Sequence, residues 1–329
     1  MTDSPGSPSF QNILVTGATG FVGRAVVRAL LARGYKPVCL VRSVRKLRAQ
    51  HPDVDPDRLA AIVGDLNDAQ ALRHAADVSQ AAIHLVGIIV ARPLRGQTFQ
   101  RIHVQGTMNV VDAVRQAGIR RYVHMSALGT RPNAVSTYHR TKWEAEEYVR
   151  GSGLAWTIVR PSVIHGPDGE FMQLMKRLVC GWLPPVIPYF GRGDARLQPV
   201  SVRDVAYAFA EGLRREETIG QVIPLGGPKT YSWRELYNTC RALIPGAKLW
   251  KPLVSQPVPV AKAMATLGQP LMALAEIIVP PLRLFRFDAG QVQMSQEDSI
   301  CDPAIAERFL GLTMRSFEDE LSFYGEWIR

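Results

Sequence analysis

The sequence has little cysteine and no hydrophobic run long enough to cross a membrane. Its four cysteines in 329 residues, Cys39, Cys180, Cys240 and Cys301, form no CxxC pair and no Cys/His cluster. This spacing argues against a disulfide framework and against a metal site, and it predicts a cytoplasmic protein. In the apolar region 258–284, the longest uncharged run is 263–275, well short of the roughly 18–20 residues of a membrane-spanning helix.

Acidic residues are also scarce relative to basic ones. The chain has 39 lysines and arginines against 29 acidic residues, which gives a formal net charge of +10. A phosphorylated cofactor, nucleic acid or an anionic membrane surface would each account for such an excess. The basic residues are dispersed, and no helix-turn-helix, RNA-binding or zinc module is recognisable, so we expect no nucleic-acid partner.

The chain is ordinary in composition for a globular protein, with 47% apolar and 21% charged residues. From residue 11 to about 165, short apolar strands alternate with amphipathic helices, which predicts an α/β fold with a doubly wound parallel Rossmann sheet. Residues 1–10 are predicted to be a disordered tail. Residues 166–329 are predicted to form a smaller, mixed α/β lobe, with elements in 197–226 returning to the Rossmann domain. Residues 183–196, rich in proline, glycine and aromatics, are predicted to be a loop.

A glycine motif lies between the first predicted strand and helix. Gly17, Gly20 and Gly23 are spaced as GxxGxxG. In this context the first glycine permits a tight turn, the second lets a pyrophosphate approach the backbone, and the third lets the helix pack on the sheet. Because the helix N-terminus also attracts phosphate, the motif predicts a bound dinucleotide.

The end of the second predicted strand indicates which dinucleotide. NAD-binding folds usually carry a carboxylate there, but this chain has Arg42, followed by Arg45 and Lys46. A guanidinium binds a 2′-phosphate well and offers nothing to a 2′,3′-diol, so we expect NADP(H) in preference to NAD(H). Asp65 and Leu66 follow the third strand, where the carboxylate is placed to accept from adenine or, alternatively, to form a turn.

A tyrosine and a lysine on a predicted helix carry the candidate chemistry. Tyr138 and Lys142 are four residues apart and therefore share a helix face. We expect the ammonium to lower the pKa of the phenol, so that Tyr138 exchanges a proton with a carbonyl or carbinol oxygen. Ser126, at the end of the preceding strand, is placed to polarise the same oxygen. The sequence has no GxSxG elbow, which argues against a hydrolase.

With these motifs the chain resembles the extended and atypical branch of the short-chain dehydrogenase/reductase superfamily. The resemblance implies that Ser126 orients the substrate, Tyr138 is the acid/base and Lys142 binds the nicotinamide ribose, and that Asn109 supports the lysine. It also implies a loop lining the cofactor after the fourth strand and an RPxxxxGP segment from Arg160 to Pro167. The full set of predicted cofactor contacts is Thr16, Gly17, Thr19, Gly20, Phe21, Val22, Gly23, Arg42, Arg45, Lys46, Asp65, Leu66, Leu85, Val86, Gly87, Lys142, Pro161 and Val163.

A narrower resemblance covers nearly the whole chain. The segments 126–129, 138–144, 198–205 and 296–299 are similar to those of the nucleotide-binding accessory subunit family of respiratory complex I and its bacterial relatives. That resemblance implies a second reading, in which NADP(H) is held without turnover by an accessory or assembly protein. A redox sensor that binds NADP is a third.

The apolar C-terminal half bears on substrate and location. Residues 178–190 carry no charge, which favours an apolar carbonyl compound, quinone-like or isoprenoid-like, over a nucleotide sugar; the same run is also consistent with the core of the small lobe. Residues 258–287 are apolar with flanking cations and are a candidate for peripheral contact with a membrane or a membrane complex, or for a buried helix pair. The first hypothesis is therefore an NADP(H)-dependent oxidoreductase acting on an apolar small molecule.

Overall fold

The computed structural model describes residues 11–93, 96–267 and 289–328. Its centre is a parallel sheet of seven strands in the order β11-β6-β5-β4-β1-β2-β3. The chain reverses its direction of growth between β1 and β4, which is the switch point where doubly wound sheets bind ligands. The strands are β1 Asn12–Thr16, β2 Lys36–Val41, β3 Ala60–Val63, β4 Ala81–His84, β5 Arg121–Met125, β6 Ala155–Pro161 and β11 Gln221–Leu225.

Helices cover both faces of this sheet, as the short, nearly continuous apolar strands predict. One face packs a core that includes Ile13, Val26 and Phe209, and the other packs a core that includes Leu14, Leu72 and Val110. The predicted α/β Rossmann fold is confirmed. The helices of this domain are α1 Phe21–Ala32, α2 Val44–Gln50, α3 Ala69–Asp77, α4 Gly106–Gln116, α5 Thr137–Arg150 and α7 Val202–Arg214.

A third apolar core lies outside the sheet. It is built from Met172, Ile187, Leu236, Phe317 and other residues of the C-terminal half. The helices around it are α6 Glu170–Cys180, α8 Trp233–Leu243 and Phe317–Tyr324. The helix Pro303–Leu310 instead packs Ala306 and Leu310 into the sheet core that includes Ile13, and a short helix spans Ala289–Met294. Helix α8 begins with the capping box that its sequence predicts, between Ser232 and Glu235. The boundary predicted near residue 165 stays a prediction.

Short strand pairs hold this part of the chain together. The strand β8 Ile187–Phe190 pairs in parallel with β13 Leu253–Gln256, so the prediction of a loop over 183–196 is wrong. Its prolines and glycines masked a strand whose partner lies more than 60 residues later. The other pairs join β10 Val200–Ser201 to β7 Ile164–His165, and β12 Tyr231–Ser232 to β9 Arg196–Leu197.

The segment predicted to contact a membrane is described only in part. Helix α9 Val258–Leu267 exposes Val260 and Met264, and residues 268–287 lie outside the described residues. Among the helices that the structure describes, none combines the length and apolar character needed to span a bilayer.

Candidate functional site

The glycine loop between β1 and α1 forms the floor of the site. Gly17 has φ of +79°, in the left-handed region that favours glycine, and the amide of Gly20 donates to its carbonyl at 3.0 Å. A Cβ on Gly23 would lie 2.1 Å from the carbonyl oxygen of Gly17, so no other residue fits there. The loop therefore has the tight turn and the close helix approach that a pyrophosphate site needs.

The loop after β4 packs directly on this turn. A Cβ on Gly17 would contact Leu85 and Val86 at 3.3 Å, and one on Gly87 would lie 3.1 Å from Lys142 Nζ. The structure thus brings Leu85, Val86 and Gly87 between the glycine loop and the predicted catalytic lysine. On the opposite side, the ring of Phe21 lies against Gly166, within the RPxxxxGP segment.

The ends of β2 and β3 form an open depression that is lined by charged side chains. Arg42, Val63, Asp65 and Asp68 line it, with a volume of about 390 Å³. Ser43 caps α2 by accepting from the backbone amide of Lys46, which fixes the start of the helix. Arg42, Arg45 and Lys46 are all exposed, and none has a carboxylate in ion-pair distance among the described residues.

The sequence left two roles open for Asp65, accepting from adenine or forming a turn, and in the structure its side chain forms a turn. One carboxylate oxygen accepts from the backbone amide of Asn67 at 2.7 Å. The side chain remains exposed in the depression. The contact with Asn67 orients the carboxylate and is compatible with a second acceptor role for its free oxygen.

The predicted catalytic groups converge at the ends of β5 and α5. Ser126 and Lys142 are 1% and 3% exposed, and Lys142 Nζ donates to the backbone carbonyl of Met125 at 2.9 Å. The Ser126 hydroxyl donates to Thr130 Oγ1 at 3.3 Å. Tyr138 is half-buried and lines a cleft, and the described residues that line this cleft include neither the serine nor the lysine.

The electrostatics differ from the expectation for Tyr138. Desolvation raises the pKa of Tyr138 to about 12, because burial penalises the phenolate. Burial lowers the pKa of Lys142 to about 8, although nearby Glu146 opposes this shift. The prediction that the lysine lowers the tyrosine pKa is therefore wrong for this arrangement, in which burial dominates and the ammonium is directed at the Met125 carbonyl.

Asn109 does not lie where the resemblance to the superfamily implies. Its amide nitrogen donates to the backbone carbonyl of Leu66 at 2.7 Å and its oxygen accepts from Gln105. These contacts place Asn109 beside the segment that follows β3, which corrects its implied role at the lysine.

His103 occupies the position beside Lys142, and sequence reasoning missed it. It lies in a π-helical turn, Gln100–Gln105, that leads into α4. One ring nitrogen lies 2.9 Å from Thr141 Oγ1, the other approaches the backbone of Ile88, and the ring meets Tyr138 edge-on at 5.3 Å. Burial and the charge of Lys142 lower the pKa of His103 to about 2, so the ring is neutral.

Two further buried histidines extend this polar layer beneath the site. His84 Nδ1 lies 2.6 Å from Thr16 Oγ1, and its other nitrogen lies 3.3 Å from Thr107 Oγ1. His124 stacks on His84 with ring centroids 5.4 Å apart. Burial, reinforced by the Lys142 charge, lowers the pKa of His84 to about 3 and lowers that of His124 as well. Thr16 thus contacts His84, so its predicted role at the cofactor stays a prediction.

The cleft above Tyr138 is apolar apart from two hydroxyl-bearing side chains. It has a volume of about 220 Å³ and is lined by Ile89, Phe99, Thr137, Tyr138, Ala289, Gly290 and Met294. Residues 178–190 do not line it: Leu178 and Val179 belong to the C-terminal core, and Trp182 and Leu183 are exposed. The predicted core role of residues 178–190 therefore holds for part of the run only.

Comparison with known proteins is consistent with this geometry. A family of NAD(P)H-binding domains matches residues 17–177. Ceramide reductase of Caulobacter vibrioides is 33% identical over 72% of this chain and 71% of its own length. The NADH-ubiquinone oxidoreductase 40 kDa subunit of Neurospora crassa is 26% identical over 73% of this chain and 64% of its own length, which confirms the resemblance to complex I subunits.

One solved structure matches nearly the full length. The crystal structure of gox2253 superimposes with a TM-score of 0.71 at 26% identity, covering 95% of this chain and 96% of that chain. Both the Rossmann domain and the C-terminal half are included in this match. The chain therefore belongs to the short-chain dehydrogenase/reductase superfamily, as an oxidoreductase-like protein that binds NAD(P)(H).

Proposed function

We propose that this protein is an NADP(H)-dependent reductase of a carbonyl group on an apolar, lipid-like small molecule. The observation that carries the proposal is the position of Tyr138. Its side chain lines the apolar cleft and meets the ring of His103, which lies beside the buried Lys142. A substrate in the cleft would meet a proton donor at its polar end and apolar contacts elsewhere.

The protonation states favour reduction. With a pKa of about 12, Tyr138 is a protonated phenol at neutral pH, so it can donate a proton to a carbonyl oxygen. Bound NADPH would supply the hydride to the carbonyl carbon. Ser126 would orient the oxygen, and Lys142, on the same face of α5, would bind the nicotinamide ribose. His103, edge-on to Tyr138, would hold the phenol ring in place.

The cofactor preference rests on the depression at the ends of β2 and β3. Arg42 lines this depression, and the exposed Arg45 and Lys46 follow it at the start of α2, so the three supply cationic donors for an adenosine 2′-phosphate. Asp65 remains available on the opposite wall for adenine. The backbone amides of the glycine loop and the start of α1 would hold the pyrophosphate.

The substrate class is supported by the lining of the cleft and by one relative. Ile89, Phe99 and Met294 provide apolar surface, and the described residues that line the cleft include no lysine or arginine that would bind a sugar diphosphate. Ceramide reductase, by its name, reduces a lipid. We therefore propose that the substrate of this chain is a long-chain carbonyl compound.

The experiment is NADPH oxidation with ketones of increasing alkyl length presented in mixed micelles. Turnover is expected to rise with chain length, and Tyr138→Phe is expected to remove it while leaving NADPH binding intact. Tyr148→Phe is the matched control, because Tyr148 lies on the same helix and its hydroxyl donates to Asp112. Equal turnover by wild type and Tyr138→Phe would show that Tyr138 is not the proton donor.

The second candidate is an accessory protein that holds NADP(H) without turnover. The observation that favours it is the similarity of this chain to the 40 kDa subunit of complex I. Native mass spectrometry separates the two. A cofactor that stays bound through purification and is not oxidised by any ketone of the series would support the accessory role. A cofactor that exchanges freely and is consumed supports the reductase.

A further inference from the structure

Three of the six tryptophans are exposed, and all three lie at one end of the C-terminal core. Trp182 and Leu183 are 77% and 76% exposed on the loop after α6, and Leu249 and Trp250 are 68% and 59% exposed on the loop before β13. We refer to these four residues as the tryptophan patch. Trp182 and Trp250 are bulky apolar groups that a soluble surface rarely leaves exposed in pairs.

Several contacts hold the two loops of the patch side by side. The backbone amide of Lys248 donates to Val179, and Lys251 Nζ donates to the carbonyl of Gly181 at 3.3 Å. The Lys248 ammonium lies over the ring of Trp182, 3.1 Å from its centroid. The loops therefore present one continuous surface and not two separate tips.

A third aromatic segment borders the patch. Phe323 and Trp327 are exposed and pack edge-to-face, with ring centroids 5.1 Å apart. A Cβ on Gly325, between them, would lie 3.5 Å from Pro245, and the Cys180 thiol contacts the carbonyl of Pro245 at 3.6 Å. The exposed aromatic side chains of the last helix and the turn after it therefore lie at the same end of the C-terminal core as the tryptophan patch.

Cations outnumber anions around the two loops of the patch, with Asp194 paired to Arg192 and Glu326 beside Trp327. Residues 171–193 and 236–267 together contain seven lysines and arginines and no aspartate or glutamate. Lys248 Nζ is shielded from solvent and has no hydrogen-bond acceptor among the described residues, so its charge is balanced only by the face of Trp182. An ammonium in this state would gain from an anionic oxygen brought to the surface.

We infer that the tryptophan patch docks the protein on an anionic lipid bilayer. Tryptophan favours the boundary between headgroups and acyl chains, where its ring is buried and its N–H stays hydrated. The surrounding cations would face lipid phosphates, and Lys248 would exchange its contact with Trp182 for one of them. A protein partner would be expected to present carboxylates to these cations, and it is the competing outcome of the test below. The inference does not rest on the proposed reductase activity.

The test is co-sedimentation of the full chain with vesicles of phosphatidylcholine alone or with about one third phosphatidylglycerol. Binding is expected only to the anionic vesicles and is expected to weaken with salt. The double variant Trp182→Ala/Trp250→Ala is expected to lower the partition coefficient at least tenfold, since it removes the apolar area that inserts. Val78→Ala/Ile219→Ala is the matched control, because both residues are exposed apolar side chains of the Rossmann domain.

A charge variant makes the test independent of tryptophan packing. Lys248→Gln is expected to lower binding by about fivefold, the effect of one cation at an anionic leaflet, whereas exposed Lys36→Gln is expected to leave it unchanged. NADPH binding by each variant verifies that it is folded. Unchanged vesicle binding by the tryptophan variant would overturn the inference. So would binding of the wild type to native membranes but not to protein-free vesicles, which would assign the patch to a protein partner.

Discussion

The two ends of the cofactor cleft are built in opposite ways. At the end that carries the candidate chemistry, Ser126, Lys142, His84 and His103 are each at most 3% exposed. At the adenosine end, by contrast, Arg42 and its neighbours stand in solvent. Because burial strengthens electrostatic interactions, the buried end can shift the pKa values of its side chains by several units. The exposed adenosine end contributes contacts that select the ligand. We therefore expect substitutions to cost much at the buried end and little at the exposed end.

The largest effect is expected at the glycine loop that joins the two ends. In Gly23→Ala the new Cβ would overlap the Gly17 carbonyl, so the loop must shift and the pyrophosphate site is lost. NADPH binding should weaken by at least about 100-fold, as followed by the fluorescence of the bound cofactor. Gly212→Ala is the control, because its Cβ would meet only side chains at 3.8 Å and binding should not change. Wild-type affinity in Gly23→Ala would refute this account of the loop.

A smaller effect is expected at the exposed end. Arg42→Ala should weaken NADPH binding by about 1–3 kcal/mol, the usual range for a hydrogen bond to a charged group, and should change NADH binding far less. Titration calorimetry with both cofactors measures the difference. Arg73→Ala removes an exposed arginine from α3 and should affect neither cofactor. Equal losses for NADPH and NADH would mean that Arg42 does not recognise the 2′-phosphate.

A change in the pH dependence of stability is also expected at the buried end. His103 has a pKa of about 2 in the folded protein and about 6.5 when unfolded, so below pH 6.5 the unfolded chain binds the extra proton. Stability should therefore fall as pH drops from about 6.5 toward 2. In His103→Gln the slope of unfolding free energy against pH should decrease by about one proton in this window, as measured by urea unfolding.

The exposed His74→Gln provides the comparison for that slope. If His103→Gln keeps the wild-type slope, the histidine is not held neutral by burial. The polar layer under the site would then be more hydrated than its contacts indicate.

Local patterns in the sequence are sufficient to predict the Rossmann sheet and the glycine loop. Each strand is a short apolar run and each turn is marked by glycine, so the fold of residues 11–165 follows from spacing alone. The placement of Tyr138 and Lys142 on α5 and of Ser126 after β5 is also predictable from spacing, and their catalytic roles stay a prediction. These features depend on neighbours that are close in sequence.

The features that were missed depend on contacts between distant residues. His103 lies beside Lys142 only because a π-helical turn rotates it there, and no local pattern marks such a turn. The strand at 187–190 needs its partner at 253–256, and the raised pKa of Tyr138 depends on how deeply α5 is packed. The resemblance to the superfamily implies that Asn109 supports the lysine, whereas the fold places His103 beside it.

The difference between the two ends can be tested by the rate of a single turnover. Hydride transfer from saturating NADPH to a long-chain ketone would be followed by stopped flow in wild type, Tyr138→Phe and Arg42→Ala. Loss of a positioned proton donor should slow the step by about 10²–10⁴-fold in Tyr138→Phe, whereas Arg42→Ala should match the wild type once the cofactor is saturating. A wild-type rate in Tyr138→Phe, or equal losses in both variants, would contradict the assignment of chemistry to the buried end.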